Sequence, residues 1–338
     1  MTGIRMAACW RALAQRLRIR LKGRGETGAR MQQARDHGGG VDAALARWGG
    51  ARGDWIDLST GINPVPYPVG RVSDTAWTVL PDAGAEARLI AAARTFWRVP
   101  EGLEIVAAPG ASAIIAALPG LWPLGRVDVP GPTYNEHEAA FRAGGWEIGP
   151  GGEARVIVHP NNPDGRLWSV DELSAPRMVI DESFCDVAPG HSLVGAAGPG
   201  RIVLKSFGKF WGLAGLRLGF AIGAEDEMAR LRARLGPWAV SGPALEIGAR
   251  ALEDRAWAEA TRQRLAADAA RLDGLMAAHG VLVGGTDLFR LYEVVDAAAF
   301  QDRLGRAHVL SRIFPYSDHW LRLGLPGPEG WARLEAVL

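Results

Sequence analysis

Between residues 103 and 209 five short apolar runs recur, and each ends in a turn that carries a polar or aromatic residue. Residues 103–107 lead to Pro109-Gly110-Ala111-Ser112, and residues 127–129 to Pro130-Gly131-Pro132-Thr133-Tyr134. Residues 156–158 lead to His159-Pro160-Asn161-Asn162-Pro163, residues 178–180 to Asp181-Glu182-Ser183-Phe184, and residues 202–204 to Lys205-Ser206. Helix-like stretches separate the runs. Strands buried on both faces have no polar alternation, and helices between them carry the chain back for parallel pairing. The pattern therefore predicts a mostly parallel α/β sheet. In such sheets ligands bind beyond the carboxyl ends of the strands. Ser112, Tyr134, Asn162, Asp181 and Lys209 are expected together on that rim.

From about residue 240 the pattern changes. Residues 243–278 are rich in Ala, Leu and Arg at helical spacing, and strand-like runs follow at 281–283, 288–292 and 321–324. A smaller α+β domain is expected there. The expected division is a basic extension over 1–30, an arm over 31–60 that joins the small domain, a large domain over 61–240 and the small domain over 241–338. The extension holds eight basic residues against the single acid Glu26, with Leu13, Leu17 and Leu21 at helical spacing. A solvated tail, or an upstream start with Met31 as the true first residue, is the expectation. About thirty residues are few for a helix-turn-helix head, which argues against a DNA-binding regulator.

Of 38 basic residues only Lys22, Lys205 and Lys209 are lysine. Arginine replaces lysine as a surface cation but not as an amine that loses its proton and attacks a carbonyl. Lys209 is thus the first candidate for chemistry, whereas Lys205 is expected to be a basic residue and no more. The net charge of +1 gives no global reason for nucleic acid or membrane as partner. Cys9 and Cys185 form neither a metal spacing nor a disulfide framework, so no metal site and a reducing, cytoplasmic setting are expected. No apolar run is long enough to span a bilayer.

A ligand with an aldehyde, a pyridine nitrogen and a phosphate matches the rim residues. Lys209 can form a Schiff base with the aldehyde. Asp181 can keep the ring nitrogen protonated, so that the ring draws electrons from a breaking bond. Asn162 offers an amide to a ring hydroxyl, and Tyr134 a flat face. Gly110, Ala111 and Ser112 open an apparent helix whose N–H groups suit a phosphate. Ser206 and Arg217 add a hydroxyl and a charged fork.

On these segments the chain resembles the pyridoxal-phosphate enzymes of aminotransferase fold type I. Ser206-Phe207-Gly208-Lys209 with Gly212-Leu213-Ala214-Gly215-Leu216-Arg217 is similar to their lysine motif. Pro160-Asn161-Asn162-Pro163-Asp164-Gly165 is similar to their asparagine loop, and Asp181-Glu182-Ser183-Phe184 to their aspartate strand end. Leu321-Arg322-Leu323-Gly324 is similar to the segment whose arginine holds the substrate carboxylate. Within the family the chain resembles the histidinol-phosphate aminotransferases and, more closely, the threonine-phosphate decarboxylases of cobalamin synthesis. His37-Gly38-Gly39, Asp57 to Pro64, Leu80 to Leu89 and Pro132 to His137 carry that preference. Phe184 and Leu80 stand where aminotransferases usually have tyrosine.

The resemblance implies a three-layer large domain plus the small one, pyridoxal 5′-phosphate as cofactor, and a homodimer with the site at its interface. It implies decarboxylation of L-threonine O-3-phosphate to (R)-1-amino-2-propanol O-2-phosphate, with histidinol-phosphate-type transamination as the alternative. His37, Gly38, Asn63, Arg312 and Arg322 are the residues it places at the substrate end.

Overall fold

Strand β1 (Ile56–Asp57) is followed by β2 (Glu104–Ala108), β3 (Arg126–Asp128), β4 (Glu147–Ile148), β5 (Ala154–Val158), β6 (Arg177–Asp181), β7 (Arg201–Ser206) and β8 (Gly219–Gly223) in the computed structural model. Residues 37–338 are described; the basic extension over 1–30 and the first part of the arm lie outside them. Strands β2 to β8 form one sheet in the order β2-β8-β7-β6-β5-β3-β4. The neighbours from β4 to β7 are parallel, and β8 lies antiparallel between β2 and β7.

All five apolar runs are strands, and the reason is visible in their burial. Ile105, Ala107, Ile180, Val203 and Ile222 join one apolar cluster, whereas Val106, Ala108, Val179, Ile202 and Ala221 join another. Side chains alternate between the two faces of a strand, and here both faces are covered. Each fully buried aliphatic side chain contributes about 1.5–3 kcal/mol, so the middle of each strand is apolar on both faces. Strand β8 was not foreseen. Its apolar stretch Phe220-Ala221-Ile222 is short, lies between glycines, and follows the lysine segment with no helix between. It forms because β7 and β2 present open edges on either side of it.

Strands β9 (Val281–Thr286), β10 (Phe289–Glu293), β11 (Val309–Leu310), β12 (Arg312–Phe314) and β13 (Ser317–Gly324) complete the chain. Four of them form an antiparallel sheet in the order β12-β13-β10-β9. Strand β11 pairs in parallel with β1, Ile56 against Val309 and Asp57 against Leu310. The arm beyond β1 is thereby brought beside the last strands. The helical stretch expected over 243–278 is two helices, Gly242–Glu253 and Arg255–Met276. Asp254 divides them: it leaves helical geometry, and its carboxylate accepts from Trp257 N at 2.9 Å, the role of an N-cap.

Candidate active site

Beyond the carboxyl ends of β5, β6 and β7 lies a cavity walled by Ser112, Tyr134, Asn162, Asp181, Ser206, Lys209 and Arg217, with Ala111, Val158 and Phe184 among its apolar lining. The five strand-end residues singled out in the sequence all reach it.

Lys209 stands in the loop between β7 and β8. Its carbonyl accepts from Asn63 N at 3.0 Å and from Gly212 N at 3.1 Å. Gly212 has φ +68°, and a Cβ there would come within 2.7 Å of Pro66 Cα. Only glycine lets the loop turn so close to that neighbour. Burial, then the cations Arg322 and Arg217, draw the amine down to about 8 against the opposing pull of Asp181 and Asp57. The Lys209 Nζ lies 5.3 Å from the Phe184 ring centre.

Asp181 is the last residue of β6 and is buried. Its Oδ1 accepts from Ser183 N at 2.9 Å and Ser183 Oγ at 2.5 Å, and its Oδ2 lies 2.8 Å from His137 Nε2. An ionised carboxylate only accepts, so Nε2 carries the proton in that contact. Burial by itself would raise Asp181, but the bond and charge of His137 and the Ser183 bonds outweigh it and hold the carboxyl below its usual range. His137 is a site residue to which the sequence reading gave no role. The available signal was its place one turn after Tyr134, in the helix Asn135–Ala143; the two rings meet edge to face at 6.0 Å.

At the opposite end Gly110, with φ +87°, opens the short helix Ala111–Ala117. A Cβ on Gly110 would sit 2.5 Å from Arg217 Nη2, so its absence lets the guanidinium lie against the residue that opens the helix. Arg217 is itself left-handed and donates Nη1 to Ala214 O at 3.0 Å. Ser206 Oγ accepts from Gly208 N at 3.3 Å. Ser112, Ser206 and Arg217 thus surround one end of the cavity with donors.

Arg322 reaches the site from β13. It is buried; Nη1 donates to Asn162 Oδ1, Nη2 donates to Ser59 O at 2.6 Å, and Nε has no partner among the described residues. Burial, then Arg312, draws it down to about 10, with Tyr316 and Asp57 opposing. Arg312 stands opposite Arg322 across the β12–β13 ladder. Among the described residues no ion pair with a carboxylate links to Arg322. A buried guanidinium held by neutral oxygens retains its capacity for an anion.

The remaining substrate-end residues divide. Gly38 packs against the Ser59 carbonyl, and Gly39 N donates to Ser59 Oγ at 2.7 Å, so this segment touches the residue that holds Arg322. Asn63 is buried and turned elsewhere. Its Nδ2 donates to Phe210 O at 2.9 Å, and its Oδ1 accepts from Val65 N at 3.0 Å and Arg264 Nη2 at 2.7 Å. These bonds fasten the lysine loop from behind. His37 falls outside the unit Gly38–Leu338 that carries the cavity.

Lys205 differs from expectation. It is fully buried, 2.6 Å from Glu182 Oε2 and 3.4 Å from Asp186 Oδ1, which makes it an internal ion rather than a surface cation. His159, Glu182 and Cys185 stand close enough together to suit a metal ion. Their ligand atoms already have partners: His159 has His191 O at 2.7 Å and Trp168 N at 3.0 Å, Glu182 has Lys205 and Ser192, and Cys185 Sγ donates to Ala188 O at 3.8 Å.

Comparison with known proteins agrees with this geometry. Residues 152–329 match the family described as aminotransferase class I and II. Over 326 residues the chain is 41% identical to the threonine-phosphate decarboxylase of Sinorhizobium sp, covering 89% of this chain and 97% of that protein. It is 40% identical to the threonine-phosphate decarboxylase of Pseudomonas aeruginosa, covering 90% and 97%. The fold is similar, with a TM-score of 0.76 at 16% identity over 92% of this chain and 97% of the other, to histidinol-phosphate aminotransferase from Sinorhizobium meliloti in complex with pyridoxal-5′-phosphate. By sequence, the chain belongs to the class I and II aminotransferase family and, within it, to the threonine-phosphate decarboxylases.

Proposed function

We propose that this protein decarboxylates L-threonine O-3-phosphate to (R)-1-amino-2-propanol O-2-phosphate, with pyridoxal 5′-phosphate as cofactor, as a step of cobalamin synthesis. The observation that carries the reading is Arg322: buried, without a carboxylate partner among the described residues, and bonded to the same Asn162 that lines the cavity with Lys209. The donor set fits the cofactor. Lys209 supplies an amine with a lowered pKa, Asp181 a carboxylate kept ionised, and Ser112, Ser206 and Arg217 the donors for a phosphate. When bound, the cofactor supplies an electron sink for the bond broken at Cα.

The chain's own residues have separate tasks. Asp181 holds a proton on the ring nitrogen, and His137 keeps Asp181 charged. Tyr134, on the cavity wall, would offer its flat face to the ring. Arg322 would grip the substrate carboxylate and orient it for loss as CO2. Arg312 and the Gly38 segment border that end. The Lys209 amine returns the proton to Cα.

The test is the purified holoenzyme with O-phospho-L-threonine and no keto acid. Release of CO2 and aminopropanol phosphate is expected. No release, together with turnover of histidinol phosphate and 2-oxoglutarate, would replace this reading with transamination. We place the boundaries of the large domain near residues 61 and 240, and we propose a cytoplasmic homodimer. Trp77, Val79, Leu80 and Trp238 are 69%, 60%, 64% and 61% exposed, and large exposed apolar side chains of this kind mark contact surfaces. Among the described residues no helix is long and apolar enough to cross a membrane. Sedimentation of the same preparation at the 36.1 kDa of one chain would refute the dimer.

A pH dependence follows from Lys209. Only the neutral amine captures an aldehyde, and its neutral fraction grows as pH approaches about 8. Uptake of pyridoxal 5′-phosphate by the apoprotein is expected to speed up about tenfold per unit below that value and to level off above it. A rate still climbing at pH 10, as for an ordinary lysine, would contradict this.

A further inference from the structure

Asp186 lies five residues after Asp181 and is buried. Its carboxylate receives Trp97 Nε1 at 2.9 Å and the Lys205 ammonium at 3.4 Å on Oδ1, and Trp211 Nε1 at 3.1 Å on Oδ2. Its backbone carbonyl accepts from Arg262 Nε at 2.8 Å. Two of these donors bracket the amine-bearing residue in sequence: Lys205 comes four residues before Lys209 and Trp211 two after it. Lys205 is also bound to Glu182, the residue next to Asp181. One network therefore fastens both sides of the lysine loop to the turn that begins with the Asp181 carboxylate.

Trp211 is placed to transmit this hold. Its indole is stacked on Phe207 at 5.0 Å with 10° between planes and on Trp257 at 5.4 Å with 14°. Stacked rings resist tilting but slide along their planes at little cost. The in-plane bond from Nε1 to Asp186 stops that sliding.

We propose that Asp186 is a positioning residue that sets the separation between the Lys209 amine and the Asp181 carboxylate, the two groups that meet opposite ends of the cofactor. The bond to Trp211 carries this role, while Trp97, in the helix Ala83–Trp97, meets the network only through Asp186 and the Lys205 ammonium, 5.6 Å from its ring centre, and bonds to no residue between 206 and 213. An error of about 1 Å in such a separation costs on the order of a hundredfold in rate.

The two tryptophans provide matched probes. Trp211→Phe and Trp97→Phe each remove one indole N–H from Asp186 and leave the ion network in place. In the holoenzyme, Trp211→Phe is expected to weaken cofactor retention about tenfold and to move the pH midpoint of the cofactor's absorbance band. Trp97→Phe is expected to leave both within about twofold at a similar loss of melting temperature. In the apoprotein, amide exchange at residues 206–213 is expected to accelerate about tenfold in Trp211→Phe alone; this readout requires neither cofactor nor substrate, so it stands apart from the proposed reaction. Equal responses of the two variants, or none in either, would overturn the proposal. Asp186→Asn is expected to follow Trp211→Phe in the absorbance midpoint, and an unchanged midpoint would also overturn it. Should that variant fail to fold, the tryptophan pair still decides.

Discussion

Lys209→Ala is expected to lower decarboxylation by about 10⁴-fold or more and to abolish the absorbance of lysine-bound cofactor. Among the described residues lining the cavity, Lys209 alone carries an amine. In the proposed reaction both the capture of the cofactor and the return of a proton to Cα require that amine in its neutral form. Loss of one positioned acid–base group costs about 10²–10⁴-fold, and loss of the covalent anchor adds to it. Lys209→Arg is expected to be equally inactive although it keeps the charge, because a guanidinium does not lose its proton. Steady-state rates and an absorbance spectrum check both variants. Full activity in either would remove the lysine from the reaction altogether.

Arg322→Gln is expected to lower kcat/KM for O-phospho-L-threonine by about 10²–10⁴-fold. Each charge-assisted hydrogen bond contributes about 1.5–3 kcal/mol, a two-pronged grip on a carboxylate contains two, and about 1.4 kcal/mol is tenfold. Arg322→Lys is expected to fall between, since it keeps the charge and loses the fork. The stability effect runs the other way. Arg322 is a desolvated cation with an unpartnered Nε and Arg312 across the ladder, so neutralising it removes a cost of folding. The melting temperature of Arg322→Gln is expected to hold or rise while activity falls, as at sites kept for function rather than stability. A kcat/KM within tenfold of the wild type would refute the assignment.

The order of the site along the chain was legible in advance because it depends on local rules. A strand buried on both faces is apolar through its middle, so polar residues gather at its carboxyl end or in the turn after it. Ser112, Tyr134, Asn162, Asp181 and Lys209 follow that rule and line the cavity together. The scarcity of lysine reduced the candidates to three, and the segment from Ser206 to Arg217 singled out Lys209 among them. Lys205 showed no comparable signal, because its burial between Glu182 and Asp186 depends on β6 and β7 lying side by side. Asn63 sits in a motif that resembles a substrate segment, yet its amide is consumed by Phe210, Val65 and Arg264. His137 was readable only as a helix residue until its ring met Asp181.

By itself, the sequence determined the class of sheet, the rim on which the polar residues gather and the lysine that stands on it. Each of these rests on residue chemistry or on short-range alternation, which a linear chain displays. Tertiary structure decided which residues are partners. Arg322 meets Asn162 and Ser59, Asp181 meets His137, and Asp186 meets Trp211 only after distant segments pack. The lowered pKa of Lys209 belongs largely to the same level: it arises from burial and from Arg322 on β13, with Arg217 of its own loop adding to it, and the approach of Arg322 has no counterpart in the order of residues.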